Sequence, residues 1–174
     1  MVNTSRYLYW LKDNSDNMTK EVVFREMYSR LGHFFHVIQM VEYNIANIIS
    51  IEEFEKETKT VFDAADVERI RSNIETKYQK LSGLTFGKLA NEVAASLYLK
   101  NIEIKKLEEI VKFRNYLAHN CFKEKLLEHK LEQLEDVDEF VDELNDYEEK
   151  ARELNDWLVE IFKDNKIKSI LLKN

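Results

Sequence analysis

Apolar residues recur at steps of three and four along most of this chain, the spacing that lines one face of a 3.6-residue helix. From Thr19 to about Ile49 they fall at Val23, Met27, Leu31, Phe34, Phe35, Ile38, Val41, Ile45 and Ile48, which predicts one long helix. The polar stretch from Asp13 to Asn17 ahead of it offers capping side chains. Ser50 followed by Glu53 has the form of a capping box and predicts a second helix start. That helix reads weakly through Phe54, Val61 and Phe62, then restarts near Asp66 with a stripe of Val67, Ile70, Ile74, Tyr78 and Leu81. Ser82-Gly83 closes it, glycine being suited to the left-handed conformation beyond a helix end.

Thr85 is placed to cap the next helix, with Phe86, Leu89, Ala90, Val93, Ala94 and Leu97 facing inward. A break near Lys100-Asn101 leads into a helix marked by Ile104, Leu107, Ile110, Val111, Tyr116 or Leu117, and Ala118. The last helix is long, from about Glu124 to Lys163, on Leu127, Leu131, Leu134, Val137, Val141, Leu144, Ala151, Leu154, Leu158 and Ile161. Five or so helices joined by short polar turns predict an all-α, up-and-down bundle in a single domain over residues 1–174. Within it, residues 1–18 form an N-terminal extension, 19–163 the bundle, and 164–174 a short helix or tail.

Composition agrees with that pattern. The 174 residues include no proline and only three glycines, Gly32, Gly83 and Gly87, too few for the many turns of a sheet-rich domain. Cys121 is the one cysteine, so no internal disulfide forms, which suits a reducing compartment. Met1 to Trp10 carries no signal-peptide pattern, and no apolar run reaches the ~18 residues that span a bilayer. The expected location is cytoplasmic, with no membrane partner. The net charge of −7 excludes a general electrostatic trap for phosphate chains, so any chemistry on nucleic acid must be local.

The segment with chemistry in it is Phe113-Arg114-Asn115-Tyr116-Leu117-Ala118-His119. Asn115 and His119 are four apart and share a helix face, while Arg114 lies about 140° around from His119. Imidazole exchanges a proton near neutral pH. Guanidinium matches phosphate oxygens with a planar, permanently charged fork, and an amide can orient a ribose or phosphate. RNA brings its own nucleophile, the 2′-hydroxyl, so acid–base and charge-stabilising groups suffice for cleavage. One helix supplies one histidine, whereas base and acid roles ask for two groups. A two-fold homodimer supplies the second.

Arg114-Asn115, three further residues and His119 resemble the arginine–polar–x–x–x–histidine signature of the HEPN superfamily, with Leu117-Ala118 as the apolar pair before the histidine. Leu31 to Ile45 (LGHFFHVIQMVEYNI) and Leu84 to Val93 (LTFGKLANEV) resemble segments preceding that motif in small bacterial HEPN-like proteins. The likeness covers about Thr19 to Phe162, although the motif itself is six residues long. It implies a helical bundle, a homodimer with facing motifs, and metal-independent cleavage of RNA by a toxin or phage-defence effector, without cofactor or metal. In that scheme Arg114 stabilises the phosphate, Asn115 positions it, and His119 does the acid–base work. A protein antitoxin or regulator is an implied partner. Toxins paired with a nucleotidyltransferase antitoxin often carry a tyrosine two residues after the histidine. Here that position is Cys121.

Plainer readings stand beside these. Arg114 can pair with an acid while His119 caps a helix end, leaving a degenerate helical dimer that binds a protein or nucleotide. His33 and His36, beside Phe34 and Phe35, read as core-edge or interface histidines, since no Glu-x-x-His occurs to complete a metal site. Cys121 reads as a buried structural thiol. Glu132 to Glu160 reads as a solvated acidic face or as a dock for a basic partner. Tyr7, Tyr9 and Trp10 read as packing onto a bundle end rather than stacking on bases.

Overall fold

The computed structural model describes residues 16–57, 64–99, 102, 104–121, 123–124 and 134–164. Among them are five helices and no strand, α1 (Asp16–Glu57), α2 (Ala64–Ser82), α3 (Phe86–Val93), α4 (Ile104–His119) and α5 (Leu134–Asp164). The architecture is the all-α helical bundle that the apolar spacing predicts. The expectations for Tyr7, Tyr9, Trp10, Leu127, Leu131 and the tail after Lys166 fall outside the described residues.

Helix α1 is longer than expected. Met27, Leu31, Phe34, Ile38, Val41, Ile45 and Ile48 are all buried as the stripe requires, joined by Val37, Ala46, Ile49 and Ile51. The Ser50 capping box does not form, and the helix runs through it to Glu57 over 42 residues. The reason is local. The Ser50 hydroxyl donates to the Ala46 carbonyl at 2.6 Å, the back-bond by which a helix interior tolerates serine. With its proton spent inside the preceding turn and apolar neighbours on both sides, Ser50 gives the chain no cause to stop.

Two further boundaries differ. Gly83 ends α2 without entering the left-handed region. Its amide bonds back to the Gln79 carbonyl at 3.3 Å, and Leu84 N–H tightens onto Leu81 at 3.0 Å, so the last turn closes by 3₁₀-type bonding. Thr85 stands at the N-cap of α3 with extended backbone (φ −68, ψ 153), but its side chain makes no cap bond. Helix α3 then stops at Val93, short of the expected Leu97, leaving Ala94 exposed and Leu97 63% exposed.

Glu52 explains that early stop. Its buried carboxylate accepts from the Ser96 hydroxyl, from Leu97 N–H at 2.7 Å and from Tyr98 N–H at 3.3 Å. Ser96 Oγ in turn accepts Leu99 N–H at 3.1 Å. Amides that would have continued the helical ladder are satisfied by a charged acceptor instead, and charge-assisted bonds are the stronger kind. Leu99, not Leu97, becomes the buried anchor.

The chain divides into two compact units. The first comprises Met1–Ile38 with Lys112–Arg152, the second Gln39–Val111 with Glu153–Asn174. In the first, Phe113 of α4 stacks on Tyr147 of α5 at 3.9 Å and 11°, and meets Phe34 of α1 edge-on at 5.5 Å. In the second, buried Asn155 of α5 accepts from Asn44 Nδ2 of α1 at 2.9 Å, and Lys106 pairs with Glu153. Gly87 of α3 faces Val111 closely enough that a Cβ there would sit 3.7 Å from its methyl.

Candidate functional site

The orientation of α4 sets the site. Leu107, Ile110, Phe113, Leu117 and Cys121 are buried and mark one side of the helix. At 100° per residue His119 lies about 180° from the centre of that side, with Lys112 and Asn115 within about 40° of it. His119 and Lys112 are exposed and Asn115 is half-buried, as that placement demands. Leu117 rather than Tyr116 is the inward residue, and Ala118 is exposed. Phe113, the first residue of the motif segment, is the aromatic anchor that the apolar stripe had omitted.

Arg114 is half-buried, about 40° from the centre of the buried side and about 140° from His119 by the same count, with its Nε shielded from solvent. Its guanidinium reaches round to donate to Asn115 Oδ1 at 3.2 Å. The structure therefore brings two of the three predicted residues together and leaves the third on the same face, one turn on. With its carbonyl engaged, Asn115 has its side-chain N–H groups as further donors. His119 is the last residue of α4, at the helix end where the plainer reading puts it, and among the described residues it makes no hydrogen bond or ion pair. Past that end Asn120 N–H bonds Tyr116 O and Glu124 N–H bonds Asn120 O, both at 2.8 Å.

Tyr116 lies between these faces. Burial, followed by electrostatic interaction with Cys121, Glu124 and Glu143, pushes its phenol up to about 12. It stays a protonated donor throughout the neutral range. Cys121 is buried and outside any disulfide, on the side of the helix away from His119 as i, i+2 neighbours are.

His33 belongs to a separate cluster in the same unit. Its Nδ1 lies 3.0 Å from Glu148 Oε1, and Arg152 donates to that same oxygen at 2.8 Å while its NH2 group reaches the imidazole at 3.1 Å. These three residues tie α1 to α5 at the edge of the core, the role expected of a core-edge histidine. His36 is exposed. Among the described residues no group of three or more His, Cys, Asp or Glu side chains is arranged to hold a metal ion. None of the described helices is long and apolar enough to cross a membrane.

The fold and face define an all-α bundle presenting an arginine–asparagine pair and an exposed histidine on one helix. Compared with known protein families, curated proteins and solved structures, the chain matches none.

Proposed function

We propose that this chain is an endoribonuclease of the HEPN type, cleaving RNA by 2′-hydroxyl attack without a metal and acting as a toxin or phage-defence effector. The observation that supports this reading is the exposed His119, without a hydrogen bond or ion pair among the described residues, one turn from Asn115, whose side-chain carbonyl accepts from Arg114. In the proposed reaction one imidazole takes the 2′-hydroxyl proton as O2′ attacks phosphorus. The 5′-oxygen departs with a proton from a second imidazole, supplied by the His119 of a two-fold partner copy. The products are a 2′,3′-cyclic phosphate and a 5′-hydroxyl. Asn115 orients the phosphate, and Arg114 holds Asn115 and adds positive charge beside the developing oxyanion.

The test is incubation of the purified full chain with total cellular RNA in excess chelator. Fragments ending in cyclic phosphate are the expected result, and intact RNA at every enzyme dose rejects the proposal. A second reading, a catalytically degenerate dimer that binds a protein or nucleotide partner, draws support from Arg114. That side chain bonds Asn115 and is part-buried rather than extended toward His119. Toxicity on overexpression that disappears with R114A and H119A rejects this second reading.

A further inference from the structure

Eight residues of α1 between Tyr28 and Tyr43 are exposed, and none of them is Asp, Glu, Lys or Arg, in a chain of which 34% is charged. On α5 the pattern is reversed, since every exposed residue from Asp136 to Glu160 is charged. Three large side chains, Tyr28, Met40 and Tyr43, stand in solvent on α1, and Tyr43 is braced edge-on by Tyr78 of α2 at 5.8 Å. At 100° per residue Ser29, Gly32, His36, Met40 and Tyr43 share an arc of about 80° on one unbroken helix, opposite the buried Phe34 and Ile45. Arg25, exposed on the same arc one turn before Ser29, marks where charge resumes. Arg30 and Glu42, the two charged residues of α1 within the stretch, are half-buried about 120° from its centre. At one edge Arg152 of α5 lies against His33 and is paired with Glu148.

The solvated face of a helix is where a chain normally places its charges, and large exposed side chains without them mark contact surfaces. Tyrosine and methionine are enriched at the centre of protein interfaces, whereas Lys, Glu and Asp are depleted. The missing charge also selects the occupant. Nucleic acid or a membrane surface requires cations on the protein side, and the strip itself has none. A strongly charged partner protein requires charge of the opposite sign. A second copy requires the reverse, because two molecules of net charge −7 repel and approach best through a face with no charge to double. We infer that this strip of α1 is the contact between two copies of the chain, packed antiparallel about a two-fold axis near His36. That register lays the small half of one strip, Ser29 and Gly32, against the large half of the other, Met40 and Tyr43. A Cβ on Gly32 would meet nothing within 4 Å, so the space over it is open to a partner side chain. The strip is about 24 Å long. It is small beside a standard interface of about 800 Å² per partner, so the dimer dissociates reversibly on dilution. Within the first unit α4 meets α1 through Phe34, on the side away from the strip. The contact is therefore distinct from the pairing of two His119, and it goes beyond the ribonuclease reading.

Sedimentation of the full chain over a concentration series tests the contact. A monomer–dimer equilibrium is expected, and it tightens as salt rises, because salt screens the repulsion between two acidic copies. Met40→Glu and Gly32→Glu each place a carboxylate in the contact from both copies, and each raises the dimer Kd by at least about 10²-fold. Both positions are exposed, and circular dichroism should show both variants folded. Asn73→Glu, at an exposed position of α2, adds the same charge and leaves the dimer intact. On oxidation His36→Cys yields a disulfide-linked dimer. Ser29→Cys does not, because the antiparallel register holds the two copies of that position about 20 Å apart along the helix. A chain that sediments as a monomer at every concentration overturns the inference, as does a dimer that Met40→Glu and Gly32→Glu leave intact. If Lys112→Glu on α4 dissociates the dimer and the α1 variants do not, the copies meet through α4. The inference then falls while the ribonuclease reading keeps its two-fold partner. An α1 dimer in a chain that leaves RNA intact rejects that reading alone.

Discussion

In the proposed ribonuclease, H119A lowers the rate of RNA cleavage by about 10²–10⁴-fold, the contribution usual for a general acid–base group. That factor corresponds to about 3–5 kcal/mol of activation free energy. Stability should hardly move. His119 is exposed and makes no hydrogen bond or ion pair among the described residues, and substitutions at such positions usually stay within about 0.5 kcal/mol. The pairing of a large kinetic loss with an unchanged unfolding midpoint is what separates a chemical role from a structural one. Initial rates on a defined oligoribonucleotide, read beside a urea unfolding curve, measure both. Cleavage that survives H119A at the wild-type rate removes His119 from the mechanism. An Asn115→Ala variant should lose less, because an orienting amide transfers no proton.

Phe113→Ala has the opposite signature. Phe113 is 5% exposed, stacks on Tyr147 and meets Phe34 edge-on, so it links α4 with α1 and α5 inside one unit. Removing a buried phenylalanine ring costs about 3–5 kcal/mol, through lost transfer energy and the cavity left behind. This is a large part of the roughly 5–15 kcal/mol that stabilises an ordinary domain. The expected result is a strongly lowered urea midpoint, with Phe113→Leu falling between the variant and wild type. A loss under about 1 kcal/mol would show that the ring is not a core anchor. Any fall in cleavage by Phe113→Ala should track the folded fraction, since Phe113 lies on the buried side of α4, away from His119.

What the sequence could reveal depended on whether the deciding partner was near or far along the chain. Helical periodicity located the buried face of α1 from Met27 to Ile48, and in α5 it found Val137, Val141, Leu144, Ala151, Leu154 and Leu158. Periodicity is a property of neighbours within about one turn. The false start at Ser50 had a local cause, since its hydroxyl could either accept from the backbone amide three residues on, as a cap, or donate to Ala46 O, and it donates. The end of α3 was not legible because its cause, Glu52, lies 44 residues before Ser96. Likewise His33 gave no sign of Glu148 and Arg152, which are 115 and 119 residues away. In the candidate site the shared face of Asn115 and His119 was readable from a spacing of four. The inward turn of Phe113 was hidden by its place inside a motif that drew attention to its polar members.

The grip of Glu52 on Ser96, Leu97 and Tyr98 separates two properties that usually go together in a loop. A surface turn with an exposed leucine is ordinarily where amide protons exchange fastest and where proteases cut. Here the Leu97 and Tyr98 amides are held by a buried carboxylate although the Leu97 side chain stands in solvent. Both amides should therefore exchange with deuterium as slowly as the helix interiors around them, and Glu52→Gln should speed them together. A protease directed to leucine would meet a side chain it can reach on a backbone that is not free to extend into its cleft. The segment after α3 is irregular in shape, and core-like exchange is the expected result for it.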